Sequence, residues 1–167
     1  IWRSAKASWA KVGQANQPVN QPAATQHDIQ EAINLCKDKE LRAFLMLMWL
    51  LSGRKGDIAH LRQATLEENG RLSVPIREGK ATRNPSVGFY TLTSFVPEQW
   101  RAELNAFFNR PGRRKNSYMF RPALSKNSEV INALRLVNKN LSCRAVRRGA
   151  LQTMAAAGVT EEVLMAH

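Results

Sequence analysis

The chain has 167 residues and a formal net charge of +12, from 25 Lys and Arg against 13 Asp and Glu. This length is typical of one domain with a sizeable core. The longest apolar run, residues 43–51, is shorter than a membrane-spanning helix, so we expect no membrane partner.

The positive charge is concentrated in the second half of the chain. Residues 101–148 contain 12 Lys and Arg but only two Glu, which indicates a polyanionic partner, first of all nucleic acid. The two cysteines, Cys36 and Cys143, are far apart and have no His or Cys companions nearby. We therefore predict two buried thiols in an intracellular protein, nuclear in a eukaryote and in the cytoplasm or nucleoid in a bacterium or phage.

The first half of the chain is predicted to be a linker followed by helices. Residues 1–24 indicate the end of a preceding region and an extended segment rich in Gln, Asn and Pro. Helices are then predicted over residues 25–37 and 39–51, the first with a capping box and the second ended by Ser52-Gly53. A third helix is predicted to start near Arg54.

The pattern then changes to the period of a β-strand. Alternating apolar residues predict strands at 72–76 and 87–92, joined by a long basic hairpin loop. Helices are predicted again over residues 97–108 and 128–137, and a last full helix is capped by Ser142. The predicted fold class is therefore α+β, mostly α, with a small β-hairpin or sheet.

The last full helix is predicted to be amphipathic. Its apolar positions, which we expect to face inward, are Val146, Ala150, Met154 and Ala157. Arg144, Arg147 and Arg148 are three and four residues apart and share the other side. Guanidinium groups held together in this way suit a phosphate, although a solvated basic face is the alternative.

These features, in this order, resemble the catalytic domain of the tyrosine recombinase (phage integrase) family, over residues 25–167. The first box of that family is an apolar helix, a small-residue break, an Arg and an acid three residues later, matched here by LLSGRKGDIAHLR with Arg54 and Asp57. The second is His-x-x-Arg followed by Gly eleven residues on. Counting back from Gly158 places Arg147 at that Arg and Arg144 at the His position.

The resemblance implies DNA strand cleavage and rejoining through a 3′-phosphotyrosyl intermediate, on duplex DNA, by a homotetramer of the full protein and without cofactor or metal. In this reading Arg54 and Arg147 clamp the phosphate oxygens, and Asp57 holds Arg54 in place. Lys80 falls at the hairpin lysine of the family and would protonate the leaving oxygen. Arg77 and Arg83, which flank Lys80, are the alternatives for that position.

The sequence also departs from the family pattern. Arg144 can donate to a phosphate as His does, but it cannot act as a base at neutral pH. The segment RRGALQTMAAAG, residues 147–158, together with an Arg at the His position, resembles recombinases of DIRS-like retrotransposons. We expect His167 not to be the third-box His, and Tyr90 and Tyr118 to serve packing rather than nucleophilic attack. The domain is thus predicted to be C-terminally incomplete and inactive alone.

Two other functions fit the same charge pattern. One is a non-catalytic DNA-binding remnant of an integrase, and the other is a basic helical RNA-binding module. Beyond the catalytic positions, the predicted DNA-binding residues are Lys55, Arg83, Arg113, Arg114, Lys115 and Arg148. For Arg148, a structural contact is an equally open role.

Overall fold

The computed structural model describes residues 23–78, 89–122, 124 and 128–158. The helices and strands within these residues are, in chain order, α1 Gln26–Leu35, α2 Lys39–Leu51, α3 Lys55–Ala59, β1 Thr65–Leu66, β2 Arg71–Ile76, β3 Tyr90–Phe95, α4 Glu98–Phe108, α5 Glu129–Val137 and α6 Cys143–Ala156.

Helices α1 and α2 begin at side-chain caps. The Thr25 hydroxyl accepts from the Asp28 amide at 3.1 Å while the Asp28 carboxylate accepts from the Thr25 amide at 2.9 Å, which is the predicted capping box. Asp38 caps α2 by accepting from the Glu40 amide at 2.9 Å. Helix α1 ends at Leu35, two residues before the predicted end, because Cys36 has an extended backbone.

Helix α2 forms the centre of the core. Ten of its 13 residues are buried, and it packs against α1, α4, α6 and β3. A helix that is apolar on nearly all sides must be surrounded by other elements, which is what its sequence predicted. Arg42 on α2 also pairs with Glu103 on α4 through two bonds of 2.8 and 2.9 Å, which joins these helices at the edge of the core.

The sheet has three antiparallel strands in the order β1-β2-β3. The fold class is confirmed: the chain is α+β with the sheet as the minor part. Strand β1 was not predicted, because two residues are too few to show an alternating pattern. Strand β3 continues to Phe95, beyond the predicted end at Leu92, because its pairing with β2 extends to Arg71↔Phe95. Residues 87 and 88 of the predicted strand lie outside the described residues.

The segment before α1 packs across α6. Ala24, which the sequence assigned to the linker, is only 3% exposed, and its amide donates to the Ala145 carbonyl at 3.0 Å. The inward face of α6 is shorter than predicted, because Met154 is half-buried and Ala157 is exposed. Gly158, with φ +83°, follows the helix.

The two cysteines are less buried than predicted. Both Cys36 and Cys143 are free thiols of intermediate exposure, and each lies at the end of a helix, Cys36 as the C-cap of α1 and Cys143 as the first residue of α6. Across the described part of the chain, no helix combines the length and the apolar character needed to cross a membrane.

Candidate functional site

The turn between α2 and α3 places Arg54 and Asp57. Ser52 adopts the left-handed conformation with φ 50°, and Gly53 lies so close to Ile58 that a Cβ there would come 2.7 Å from its Cδ1. The chain therefore turns tightly and starts α3 with Arg54 at its N-cap. Arg54 is exposed, whereas Asp57, one helical turn later, is buried with 7% exposure.

Helix α6 supplies the second arginine. Its N-cap Ser142 accepts from the Ala145 amide at 3.2 Å, as the sequence predicted. Arg147 is half-buried between Val146 and Gly149, both of which are buried, whereas Arg144 lies on the exposed side one turn earlier. The three arginines of this helix therefore do not share one environment.

Arg147 lies within electrostatic range of the α3 residues. Burial lowers the pKa of its guanidinium and the positive charge of Arg54 lowers it further, whereas Asp57 and Tyr90 oppose the shift. Charged and polar residues from the start of α3 and from β3 thus lie near one partly buried guanidinium on α6. The carboxylate of Asp57 offsets part of the repulsion between the two arginines.

Tyr90 is the residue of this cluster that the sequence did not indicate. It is half-buried against the core, as a packing residue would be, but its phenol also faces charged groups. Burial raises the pKa of Tyr90, the carboxylate of Asp57 raises it further, and Arg54 and Arg147 oppose both. The available signal was its place in β3, on the same side of the strand as buried Leu92.

We call Arg54, Asp57, Tyr90 and Arg147 the arginine cluster. It offers two cationic donors and one phenolic O–H, with a single carboxylate among them. Its two guanidinium groups come from elements far apart in sequence and differ in exposure, since one is open to solvent and the other is desolvated. Such a set can bind a phosphate group and stabilise added negative charge on its oxygens.

The predicted hairpin residues Lys80 and Arg83 lie outside the described residues. The described start of that hairpin is anchored at Glu78, whose carboxylate accepts from Arg62 at 3.0 Å and from the Tyr118 hydroxyl at 2.7 Å. The Arg62 guanidinium also lies 4.1 Å from the centre of the Tyr118 ring. The Tyr118 hydroxyl is therefore bonded to a carboxylate at the start of the hairpin.

The other predicted DNA-binding residues differ in exposure. Arg114 and Lys115 are exposed in the turn after α4, and Lys55 and Arg148 are half-buried. Burial raises the pKa of Cys143 on α6, and the positive charge of Lys55 is close enough to lower it in part.

Arg113 has a structural contact instead of a free side chain. It donates to the backbone carbonyl of Arg62, and its Nε is buried with no hydrogen-bond partner in the described part of the molecule. Burial also lowers the pKa of Arg113. Its sequence neighbours in the turn are therefore better placed than Arg113 to contact a polyanion.

Within the described ranges, no three His, Cys, Asp or Glu side chains gather in an arrangement that could hold a metal ion. The donors of the arginine cluster are cationic and suit an anion.

Comparison with known proteins gives a likeness of fold. No family model matches the chain, and no curated protein matches its sequence. Among solved structures, a complex of FLP recombinase, a tyrosine recombinase, with a Holliday junction matches with a TM-score of 0.56 at 10% identity. The match covers 99% of this chain and 46% of the FLP recombinase chain, so the chain spans less than half the length of that protein.

Proposed function

We propose that this chain is the catalytic core region of a DNA breaking-and-rejoining enzyme of the tyrosine recombinase type. The observation that carries the proposal is the arginine cluster, in which Arg54 and Arg147 lie together with Asp57 although they are distant in sequence. The shared fold with FLP recombinase supports it, and so does the concentrated positive charge.

In the proposed reaction the arginine cluster binds the scissile phosphate. Attack on phosphorus adds negative charge to the non-bridging oxygens, and two guanidinium groups approaching from different elements stabilise that charge. Asp57 holds Arg54, and Arg144 adds a donor from the exposed side of α6. Lys80 remains the proposed general acid for the leaving 5′ oxygen.

The nucleophile is proposed to come from outside residues 1–167. The chain contains two tyrosines. The phenol of Tyr90 has a raised pKa, which makes it a poor nucleophile, and the Tyr118 hydroxyl bonds to Glu78. We therefore propose that Tyr90 donates a hydrogen bond in the cluster, and that the chain alone binds DNA without cleaving it.

Duplex DNA binding by the chain tests the role of the cluster. We expect Arg54→Ala and Arg147→Ala each to weaken binding about tenfold and to lower the salt slope by about one phosphate contact. The double variant should lose less than the product of the two, because both groups act on one phosphate. Arg135→Ala, an exposed arginine on α5, is the matched control and should bind within about twofold of the parent chain.

Covalent trapping on a nicked duplex tests catalysis. A longer form of the protein that carries a further tyrosine should form a detergent-stable adduct with the 3′ phosphate, and Arg147→Ala should abolish it. DNA binding that depends on Arg147 without any adduct from such a form would favour the non-catalytic DNA-binding function. Tighter binding to RNA than to DNA would favour the RNA-binding module.

A further inference from the structure

The outward face of the sheet carries two large exposed aromatic side chains. Phe95 ends β3 and Phe89 directly precedes it, and they are 68% and 70% exposed. Successive residues of a strand face opposite sides, so buried Leu92 faces the core while Thr91 and Thr93 lie on the outward side with the phenylalanines. We call this side of the sheet the outer face. The outer face thus presents one exposed aromatic ring at each end of β3.

Each of these phenylalanines has an arginine near it, Arg71 at the start of β2 and Arg77 directly after its end. Strand pairing places Arg71 opposite Phe95, and the Arg77 guanidinium lies 5.8 Å from the centre of the Phe89 ring. An aromatic ring can stack on a nucleobase, while an adjacent arginine contacts the phosphate. Each end of the outer face therefore has one phenylalanine ring and one arginine, which can bind the base and the phosphate of a nucleotide.

The surface between the two pairs is uncharged. It consists of Ser73 opposite Thr93 and Pro75 opposite Thr91, small side chains over which an extended strand of nucleic acid can lie. The six residues of β3 span about 20 Å at the usual rise per residue, which is enough for several nucleotides.

A shallow depression lies at the Phe89 end of the outer face. It is lined by His60, Arg62, Gln63, Pro75 and Arg77. Arg62 is paired there with the Glu78 carboxylate at 3.0 Å. We therefore expect Arg77 to make the phosphate contact at this end.

We propose that the outer face binds single-stranded DNA, with bases stacked on Phe89 and Phe95 and phosphates held by Arg71 and Arg77. We expect a duplex to bind the outer face weakly, because its bases stack on one another and cannot stack on the phenylalanine rings. The choice of DNA over RNA rests on the proposed function, whereas the stacking itself does not.

This surface is separate from the arginine cluster. Tyr90, which belongs to the cluster, alternates with Phe89 and Thr91 along the chain and therefore points to the opposite side. Substitutions on the outer face should leave the phosphate-binding side chains in place, so the two surfaces can be tested independently in the same protein.

The test is binding of the whole chain to a fluorescent oligothymidylate of about twelve nucleotides, compared with a blunt duplex of equal length. We expect Phe89→Ala and Phe95→Ala each to weaken oligothymidylate binding about tenfold, which is the loss typical of one stacked base. Duplex binding should stay within about twofold. Phe89→Trp should retain the affinity, because an indole also stacks.

Two controls separate stacking from general effects. Leu136→Ala removes an apolar side chain of 69% exposure from α5, away from the sheet, and should leave oligothymidylate binding unchanged. Thr91→Glu, which adds a negative charge between the two pairs, should weaken it and serves if a phenylalanine variant fails to fold. Arg147→Ala should weaken duplex binding but not oligothymidylate binding, which distinguishes failure of this proposal from failure of the proposed function.

Several results would overturn the proposal. One is an unchanged oligothymidylate affinity in both alanine variants, and another is an equal loss for the duplex. Tighter binding of oligouridylate by tenfold or more would overturn the assignment to DNA. A change of molecular mass in solution caused by Phe89→Ala, with unchanged oligonucleotide affinity, would show that the outer face contacts protein instead.

Discussion

The backbone of Ala24 crosses α6 directly over Gly149. The Ala24 amide donates to the Ala145 carbonyl at 3.0 Å, and the Ala24 carbonyl oxygen occupies the space that a Cβ on Gly149 would need. This crossing therefore packs the segment before α1 against the helix that carries Arg147.

Gly149→Ala should therefore destabilise the protein strongly. The clash is with backbone atoms, which cannot move away as the end of a side chain can, so we expect the free energy of unfolding to fall by about 3 kcal/mol. Chemical denaturation measures it. Gly56→Ala is the matched control, because a Cβ at this helical glycine meets nothing within 4 Å and should be neutral or stabilising by up to about 1 kcal/mol. Equal effects of the two substitutions would contradict the crossing.

Two substitutions of Ser52 should differ in their effect on stability. It holds φ 50° with its side chain fully buried, and its hydroxyl has no hydrogen-bond partner among the described residues. Ser52→Gly should be more stable than Ser52→Ala by about 1 kcal/mol, because only glycine adopts the left-handed region without steric cost. Thermal unfolding of the two variants checks this, and an alanine variant of equal or greater stability would contradict it.

The titration of Tyr90 reports on the arginine cluster. In a Tyr118→Phe background Tyr90 is the sole tyrosine, so ultraviolet difference titration follows its phenol alone. We expect a pKa above the ordinary value near 10. Arg147→Ala should raise the pKa further by removing a positive charge, and Asp57→Asn should lower it. A titration unaffected by both substitutions would mean that the cluster does not form.

The stability of the protein should also depend on the ionisation of Tyr90 at alkaline pH. Because the pKa of Tyr90 is raised in the folded state, the neutral phenol stabilises the fold below the ordinary value near 10, and this contribution is lost as pH rises through the folded pKa. The free energy of unfolding of the parent chain should therefore fall relative to Tyr90→Phe above that pH. Denaturation of both proteins at several alkaline pH values measures the difference, and parallel curves would rule out the effect.

At acid pH, stability should depend on the ionisation of Glu78. The hydrogen bond from Tyr118 lowers the pKa of Glu78, and so do the hydrogen bond and charge of Arg62. Tyr118→Phe should raise that pKa towards its ordinary value, as followed by NMR of the side-chain carboxyl carbon. Stability from this carboxylate is present above the ordinary pKa and is lost as pH falls through the lowered one. Tyr90→Phe, which leaves the hydrogen bond between Tyr118 and Glu78 in place, should leave the Glu78 titration unchanged.

The local part of the fold was predictable from the sequence. The Thr25–Asp28 capping box, the Ser142 cap and the break at Ser52-Gly53 depend on groups within a few residues of one another. Helix α2 was equally clear, because an unbroken apolar run of helical length can only be buried. These are interactions of neighbours in the chain, which a sequence displays directly.

Contacts between distant segments were decided only by the tertiary structure. Resemblance to a family predicted that Arg54 and Arg147 act together, but their neighbour Tyr90 and the desolvation of Arg147 follow from the packing of α3, β3 and α6. Likewise, the sequence assigned Arg113 to the DNA-binding set, and only the tertiary structure brings its guanidinium to the Arg62 carbonyl. Burial and charge neighbours depend on which elements meet in space, and no local pattern of residues encodes that.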